Sequence, residues 1–367
     1  MENIQGLFAL ENKVLGKGSF GTVFLGTDIS KDKNVALKQI PRTILRNPQQ
    51  IQLLSNEILI SSGIKHQNLV NIVDIAEINN EKYIVYEFCN GGDLKRYLQF
   101  FTRFDESLVQ YCMKQILMGL SALHSKGIIH HDLKPENVLV ELFPSDDNNK
   151  INLEEKMSYE KIIDEILKVT DKSGANYNID KTYKDFVYKS LSKSRIKVSD
   201  FGLSKFKGDN NDRSLNGSPV YMDPNLFIQN VDIRVIESEK VDIWAIGVFA
   251  YELFFGYYPF NPVVQNLQAL IQLLQKGIYV IDLYRCGQVS KQFLSFLNMC
   301  LQRQQGIRPT VTELLFSEFI TRDPSKFDYI NMNNINYFKF PNMGYINYQG
   351  KIIMTVDDQR AVNACFE

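Results

Sequence analysis

Four short stretches carry side chains that could do chemistry on a phosphorylated small molecule. Gly16-Lys17-Gly18-Ser19-Phe20-Gly21 is a glycine-rich loop. Without Cβ atoms its backbone N–H groups could approach anionic oxygens. Lys38 follows in the apolar run Val35-Ala36-Leu37-Lys38, where an inward ammonium wants a counter-charge. Glu57 is the obvious acid, and such a pair could present the ammonium to α- and β-phosphates. His130-His131-Asp132-Leu133-Lys134-Pro135-Glu136-Asn137 holds an aspartate able to accept the proton of an attacking hydroxyl. Its Lys134 could steady a migrating phosphoryl group. Asp200-Phe201-Gly202 adds a further carboxylate, and Asp200 with Asn137 offers the hard oxygen donors that suit Mg2+.

Taken singly, each stretch leaves alternatives open. A Walker loop needs Lys directly after the last glycine, and Thr22 stands there. A dinucleotide fold needs a helix after the glycines and an acid about 20 residues on. Here a strand pattern follows, and no acid occurs between Asp32 and Glu57. A phosphate-covering β-hairpin and an ordinary glycine-rich hairpin both remain. Lys38 alone could equally be a surface lysine. The joint presence of all the parts in this chain order is what favours one shared site.

The elements that must position these groups change character along the chain. Residues 14–15 and 23–25 flank the glycine turn as strands, and 35–40 alternates with β-rich residues. Residues 49–62 read as a helix with Ile51, Leu54, Ile58 and Leu59 on one side. Residues 83–88 form a strand-like run that stops at Asn90-Gly91-Gly92. From Leu94 on, helical spacing dominates, as in Val109, Cys112, Met113, Ile116, Leu117 and Leu120. A small β-rich part thus precedes a larger α-rich part, joined near residues 89–92. The apolar stretch 243–260, interrupted by Glu252, reads as a helix buried in a large domain, not a membrane span. Residues 141–195 are rich in Lys, Asp, Glu and Asn, with one helix capped by Asn152 and Glu155 and a second capped by Asp180. The second carries Tyr183, Phe186, Val187 and Leu191. In the tail, 345–348 and 351–355 around Gln349-Gly350 suit a hairpin.

Composition narrows the classes. Forty-one basic against 42 acidic residues among 367 leave a net charge of −1, which gives no drive toward nucleic acid or an anionic membrane. Apolar residues at 44% are enough for a sizeable core. Cys89, Cys112, Cys286, Cys300 and Cys365 are odd in number, and no pair has CxxC spacing. Neither a disulfide framework nor a zinc site is expected, and a reducing, cytoplasmic setting is the default. The opening MENIQGLFAL lacks a basic region and a long apolar core, so no secretory leader is expected. Glu2 excludes N-myristoylation.

Together the motifs resemble the eukaryotic protein kinases, over residues 8 to about 320. The resemblance implies an α+β, bilobal protein-kinase fold, with a small β-rich lobe over 8–88 and a larger α-rich lobe over 89–320. Residues 141–195 would be an insertion and 321–367 a tail of unknown role. It implies ATP and Mg2+ as cofactors and transfer of the γ-phosphoryl group to protein substrates. Leu15, Val23, Ala36 and Leu139 would sandwich the adenine. Glu87 and Cys89 would offer backbone hinge hydrogen bonds, Tyr86 would be the gatekeeper, and Asp93 would reach the ribose. Gly16, Lys17, Gly18, Ser19, Phe20, Gly21 and Thr22 would cover the phosphates that Lys38, fixed by Glu57, holds. Asp132, Lys134 and Asn137 would be catalytic, and Asn137 and Asp200 would hold the metal. Asp242 and Trp244 match the start of a buried central helix, and Arg308 matches a late arginine of the large lobe.

Lys134 looks like a Ser/Thr kinase, and Ser218 in Gly217-Ser218-Pro219 is similar to the hydroxyl that bridges the catalytic Asp and Lys there. Glu87-Phe88-Cys89-Asn90-Gly91-Gly92-Asp93-Leu94 and Gly217-Ser218-Pro219-Val220-Tyr221-Met222 look like the autophagy-initiating Unc-51-like kinases. The first run also occurs in calcium-dependent kinases, but no EF-hand loop is present here.

Four departures from the family pattern set expectations. His131 replaces the usual Arg, so activity independent of phosphorylation at Ser214 is expected. Asp223-Pro224-Asn225 replaces Ala-Pro-Glu, so Arg308 is expected to lose its carboxylate partner, keep only a hydrogen bond to Asn225, and leave a looser segment. Ser61 stands where an apolar residue is usual, making the Lys38–Glu57 pairing conditional. Residues 141–195 would be a disordered insertion, a helical pair, or an element that docks a partner. A rival class is a pseudokinase, an ATP-binding scaffold with little turnover. A small-molecule kinase is disfavoured, because 217–225 looks like a peptide-positioning loop.

Overall fold

Residues 33–40 alternate between two cores, and that alternation explains the first part of the fold. Val35 and Leu37 turn to a cluster with Phe8, Ala76, Tyr83 and Val85. Ile40 belongs to the opposite face, with Ile84, and there Leu54 of the following helix packs. Period-2 side chains on a sheet covered on one face by a helix produce this split. The computed structural model describes residues 2–4, 7–18, 21–78, 81–143, 181–208, 217–227, 238–259, 278–282, 288–331, 344–348 and 351–355. Two units emerge: Met1–Leu94 with Asn137–Lys205, and Lys95–Glu136 with Phe206–Glu367.

The first unit is built on an antiparallel sheet of β1 (Glu2–Ile4), β2 (Phe8–Gly18), β3 (Gly21–Asp28), β4 (Lys33–Ile40), β5 (Ile72–Ile78) and β6 (Glu81–Glu87). Their spatial order is β1-β2-β3-β4-β6-β5. Helix α1 (Pro48–Gly63) starts where the Asn47 side chain accepts from Gln49 N and Gln50 N, with Pro48 in the first turn. The strand pair β8 (Val138–Glu141) and β9 (Arg195–Val198) completes this unit together with α4 (Lys181–Leu191). Of the apolar residues expected to line α4, Val187 and Leu191 are buried and Phe186 is exposed. Asn152, Glu155 and Asp180, the expected caps in the 141–195 segment, lie outside the described residues.

The second unit is mainly helical: α2 (Leu94–Phe101), α3 (Glu106–His124), α5 (Lys240–Phe255), α6 (Lys291–Cys300), α7 (Val311–Leu315) and α8 (Glu318–Thr321). Asp105 caps α3 by accepting from Leu108 N. Helix α5 is buried along nearly its whole length, from Val241 to Phe255. That is why its sequence shows an apolar run with no polar face. It ends at Gly256, whose φ of 78° suits glycine, and where a Cβ would sit 2.4 Å from Thr102 O. Among the described residues no helix is long and apolar enough to cross a membrane. The short strands β7 (Ile128–Ile129) and β10 (Lys205–Phe206) pair with each other. Strands β12 (Gln288–Ser290) and β13 (Tyr329–Asn331) pair, as do β14 (Gly344–Tyr348) and β15 (Lys351–Thr355). The expected tail hairpin is therefore present, and β11 (Ile278–Asp282) extends it to three strands.

Candidate active site

In the first unit, ladder register decides which side chains share a face. Lys38 lies opposite Val23 on β3 and Ile84 on β6, and Ala36 lies opposite Leu25 and Tyr86. Helix α1 packs Leu54 against Ile40 and Ile84, so Glu57, one turn later, reaches Lys38. Lys38 Nζ donates to Glu57 Oε1 at 2.6 Å, with the two side chains 11% and 2% exposed. The pairing that Ser61 was expected to make conditional is formed, and Ser61 itself is buried. Leu15, Val23, Ala36 and Leu139 are all partly buried, which leaves apolar surface on offer.

Residues 90–93 are tied to β8 by backbone geometry. Gly91 N donates to Val140 O, and Val140 N donates to Gly92 O, each at 2.8 Å. The Asn90 side chain adds two bonds to the backbone of Leu142. Asp93 bridges Leu139 through the backbone. Glu87 is held from two directions: Oε1 accepts from Asn71 N and Nδ2, and Oε2 accepts from Lys197 Nζ at 2.6 Å. Sequence reasoning missed Asn71 and Lys197. Lys197 is itself buried between Ile196 and Val198 on β9, and a buried ammonium needs an acid. The buried Cys89 thiol is pushed up to about 12, chiefly by burial.

The two candidate metal donors meet through the β8–β9 ladder. Val138 pairs with Val198, so Asn137 and Asp200 emerge at the same end. Asn137 O accepts from both Ser199 N and Ser199 Oγ at 2.9 Å, which fixes the two loop ends together. Asp200 takes a left-handed φ of 62° and accepts from Gly202 N. One carboxylate and one amide oxygen fit a Mg2+ ion that completes its shell with phosphates and water. Gly16, Gly21 and the rest of β2–β3 form the glycine hairpin with Gly18 opposite Gly21, while Ser19 and Phe20 lie outside the described residues. A strand follows the glycines, as the phosphate-covering reading requires.

In the second unit, Lys134 Nζ donates to Asp132 Oδ2 at 2.6 Å and to Ser218 Oγ at 2.9 Å. Ser218 N donates to Asp132 Oδ1 at 3.2 Å. Gly217 has φ 119°, and a Cβ there would sit 3.2 Å from Asp132 Oδ1, so glycine lets the segment approach the aspartate. Asp242 anchors the loop from beneath: its oxygens accept from His130 N and His131 N at 2.8 and 2.9 Å. His124 Nε2 lies 2.8 Å from the same carboxylate. Burial alone would raise the Asp242 pKa, but the His124 hydrogen bond and the histidine charges bring it below its ordinary value. His131 has φ 68°, a backbone region that favours glycine, so the loop carries strain at this point.

The expectation for Arg308 is corrected. Its guanidinium forks onto Asp223, not Asn225, through Nη1 to Oδ2 and Nη2 to Oδ1. Asn225 instead donates to Asp223 Oδ1 at 2.7 Å, so it supports the acid and does not replace it. The carboxylate has moved two residues toward the N-terminus within the same turn, and a shorter acid closer to Arg308 makes the pair. The acid in Asp223-Pro224-Asn225 was the available signal. Ser214, whose phosphorylation entered the His131 expectation, lies outside the described residues.

A protein kinase domain model matches residues 10–320, so the chain belongs to the protein kinase family, and its fold is the α+β fold of that family. The relatives it resembles include proteins named as serine/threonine, MAP kinase kinase and calcium-dependent kinases. The chain is 30% identical over 324 residues to the human serine/threonine-protein kinase ULK1, covering 87% of this chain and 26% of that protein. It is 28% identical over 326 residues to the MAP kinase kinase kinase mkh1 of Schizosaccharomyces pombe, covering 86% and 24%. It is 29% identical over 301 residues to calcium-dependent protein kinase 5 of Plasmodium berghei, covering 82% and 43%. The chain thus spans from about a quarter to less than half of these relatives' length.

Proposed function

We propose that the chain is a serine/threonine protein kinase that transfers the γ-phosphoryl group of ATP to a protein hydroxyl. The observation that carries this reading is Lys134 Nζ lying between Asp132 Oδ2 and Ser218 Oγ. Asp132 orients the acceptor hydroxyl and takes its proton, while Lys134 offsets charge as the phosphoryl group moves. Bound Mg-ATP supplies the phosphoryl group and the metal's neutralisation of its charge. Asn137 and Asp200 are the residues that would hold Mg2+, and Lys38, steadied by Glu57, would hold the α- and β-phosphates. Gly16, Lys17, Gly18, Ser19, Phe20, Gly21 and Thr22 would close over them. Leu15, Val23, Ala36 and Leu139 would pack on the base, with Glu87, Cys89 and Asp93 placing base and ribose. Positioning and electrostatics supply nearly all the acceleration in this chemistry.

The domain is assigned to residues 8–320, with 321–367 as a tail and a cytoplasmic setting, supported by three buried free thiols at Cys89, Cys112 and Cys300. The finer placement is Unc-51-like, supported by the Glu87–Leu94 and Gly217–Met222 runs and the ULK1 match. The other relatives lie at similar identity. Within 141–195 the burial of Val187 and Leu191 on α4 supports the helical reading of that part, with docking of a protein partner as a further reading. The scaffold alternative loses one of its supports, because Asp223 restores the Arg308 partner. Incubation with Mg-ATP and peptides carrying Ser, Thr or Tyr tests the reading. Label on Ser or Thr that Asp132→Ala abolishes is expected; label on Tyr alone, or equal label from both proteins, refutes it.

A further inference from the structure

Glu57 Oε1 has two donors, from two different strands. Lys38 on β4 gives its ammonium at 2.6 Å, and the Tyr86 hydroxyl on β6 gives a second hydrogen bond at 2.5 Å. Tyr86 is the direct cross-strand partner of Ala36, and Lys38 lies two residues along on the same face. The ladder therefore aims both donors at one turn of α1. Glu57 is only 2% exposed, and among the described residues its buried Oε2 has no hydrogen-bond partner. A carboxylate taken out of water has several acceptor sites to satisfy, and one ammonium does not replace the lost hydration. The phenol is the second donor on a buried anion. Ser61, one turn beyond Glu57, is buried beside this cluster, and among the described residues its hydroxyl makes no hydrogen bond.

Building on the reading of Lys38 and Glu57 as phosphate-binding machinery, we propose that Tyr86 is a positioning residue for nucleotide binding. It holds the Glu57 carboxylate, and with it α1, where Lys38 is presented to the phosphates. The tyrosine at 86 then acts as a hydrogen-bonded clamp between β6 and α1. Burial and the Glu57 carboxylate push the phenol well above its ordinary range, so it stays a donor wherever the protein is folded.

Tyr86→Phe removes the hydroxyl and keeps the ring, and Tyr86→Met fills similar space with no donor. Both are expected to lower kcat/KM for ATP about ten-fold, the order expected for a hydrogen bond to a charged group. The peptide KM and the melting temperature without nucleotide are expected to stay near wild type. In a Glu57→Ala background, Tyr86→Phe is expected to add less than about two-fold, because the acceptor of its hydroxyl has been removed. Calorimetric affinity for Mg-ATP gives the same comparison without turnover, so a scaffold would not mask the effect. Unchanged kcat/KM and affinity in both Tyr86 variants overturns the proposal, as does an equal loss with and without the Glu57 carboxylate. A wild-type protein that neither binds nor turns over Mg-ATP refutes the nucleotide reading itself, a separate outcome with which this proposal also falls.

Discussion

Arg308 and Asp223 form a forked ion pair with neither side chain exposed to water. Arg308 is further held by Gln302 O and Lys240 O and lies 5.1 Å from the Trp244 ring centroid. Gln305 Nε2 donates to the same acid at 2.6 Å. Removing one partner of such a pair leaves an uncompensated buried charge, at a cost of about 3–5 kcal/mol. Asp223→Ala is expected to lose about that much in urea denaturation. Asn225→Glu, which restores the family residue at a site whose task is already filled, is expected to change stability by less than about 1 kcal/mol. A large gain from Asn225→Glu would show that Asp223 is not the working partner.

The contacts of Lys134 separate chemistry from support. On the proposed reading of Asp132 as the base, Asp132→Asn keeps the shape only, and kcat is expected to fall by about 10²–10⁴-fold with little change in KM for ATP. Ser218→Ala removes one acceptor from Lys134 and is expected to cost about ten-fold in kcat. Ser218→Thr retains the hydroxyl and is expected to stay near wild type. Steady-state kinetics with a fixed peptide distinguish the three variants, and equal losses from Ala and Thr at 218 would contradict the bridging role.

Lys197 is 4% exposed at its side chain and sits between Glu87 at 2.6 Å and Glu141 at 3.5 Å. Arg195 also reaches Glu141, at 3.1 Å. Lys197→Met leaves the Glu87 carboxylate with only its Asn71 donors, and a loss of about 2–4 kcal/mol is expected, read as a shift in the denaturation midpoint. Adding Glu87→Gln should recover part of that loss, since the charge needing an ammonium is then gone. No recovery in the double variant would mean Lys197 acts through packing of its methylene chain alone.

Burial raises the Cys89 thiol from 9.0 to about 12. The unfolded chain therefore releases this proton near pH 9, while the folded chain keeps it until about pH 12. Between those values the unfolded state binds fewer protons, so unfolding free energy falls as pH rises through that window. The stabilisation is fully present below pH 9. Cys112 and Cys300 are raised in the same direction by burial, so the alkaline loss is shared. Urea denaturation at about pH 8 and about pH 10 is expected to show a smaller loss in Cys89→Ala than in wild type. Maleimide labelling of these three thiols is expected only on unfolding, and fast labelling of the folded protein would count against their burial.

Much of the site was legible before any coordinates, because its parts are short local motifs. Asp132, Lys134, Asn137 and Asp200 lie in short motifs whose residue types set the expectation of one chemistry. Lys38 announced its need for an acid by standing in an apolar strand, and Glu57 was the acid a helix later. Helix α5 was legible because an apolar run with one interrupting Glu252 has no polar face to present to water. The partner of Arg308 was not legible. A one-dimensional pattern counts positions from a motif, whereas the pair forms wherever a carboxylate arrives within reach, and Asp223 arrives two positions early.

What the chain's sequence determined alone was the set of reactive groups, their order, and the split between a β-rich start and a helical remainder. These depend on residue type and on periods of 2 and 3.6, which are local properties. Tertiary structure alone decided that Tyr86 and Lys38 share one oxygen of Glu57, that Lys197 underpins Glu87, and that Asp223 meets Arg308. Each of those contacts joins groups far apart in the chain. Their pairing follows from ladder register and from the desolvation of buried charge, neither of which any local stretch of sequence encodes.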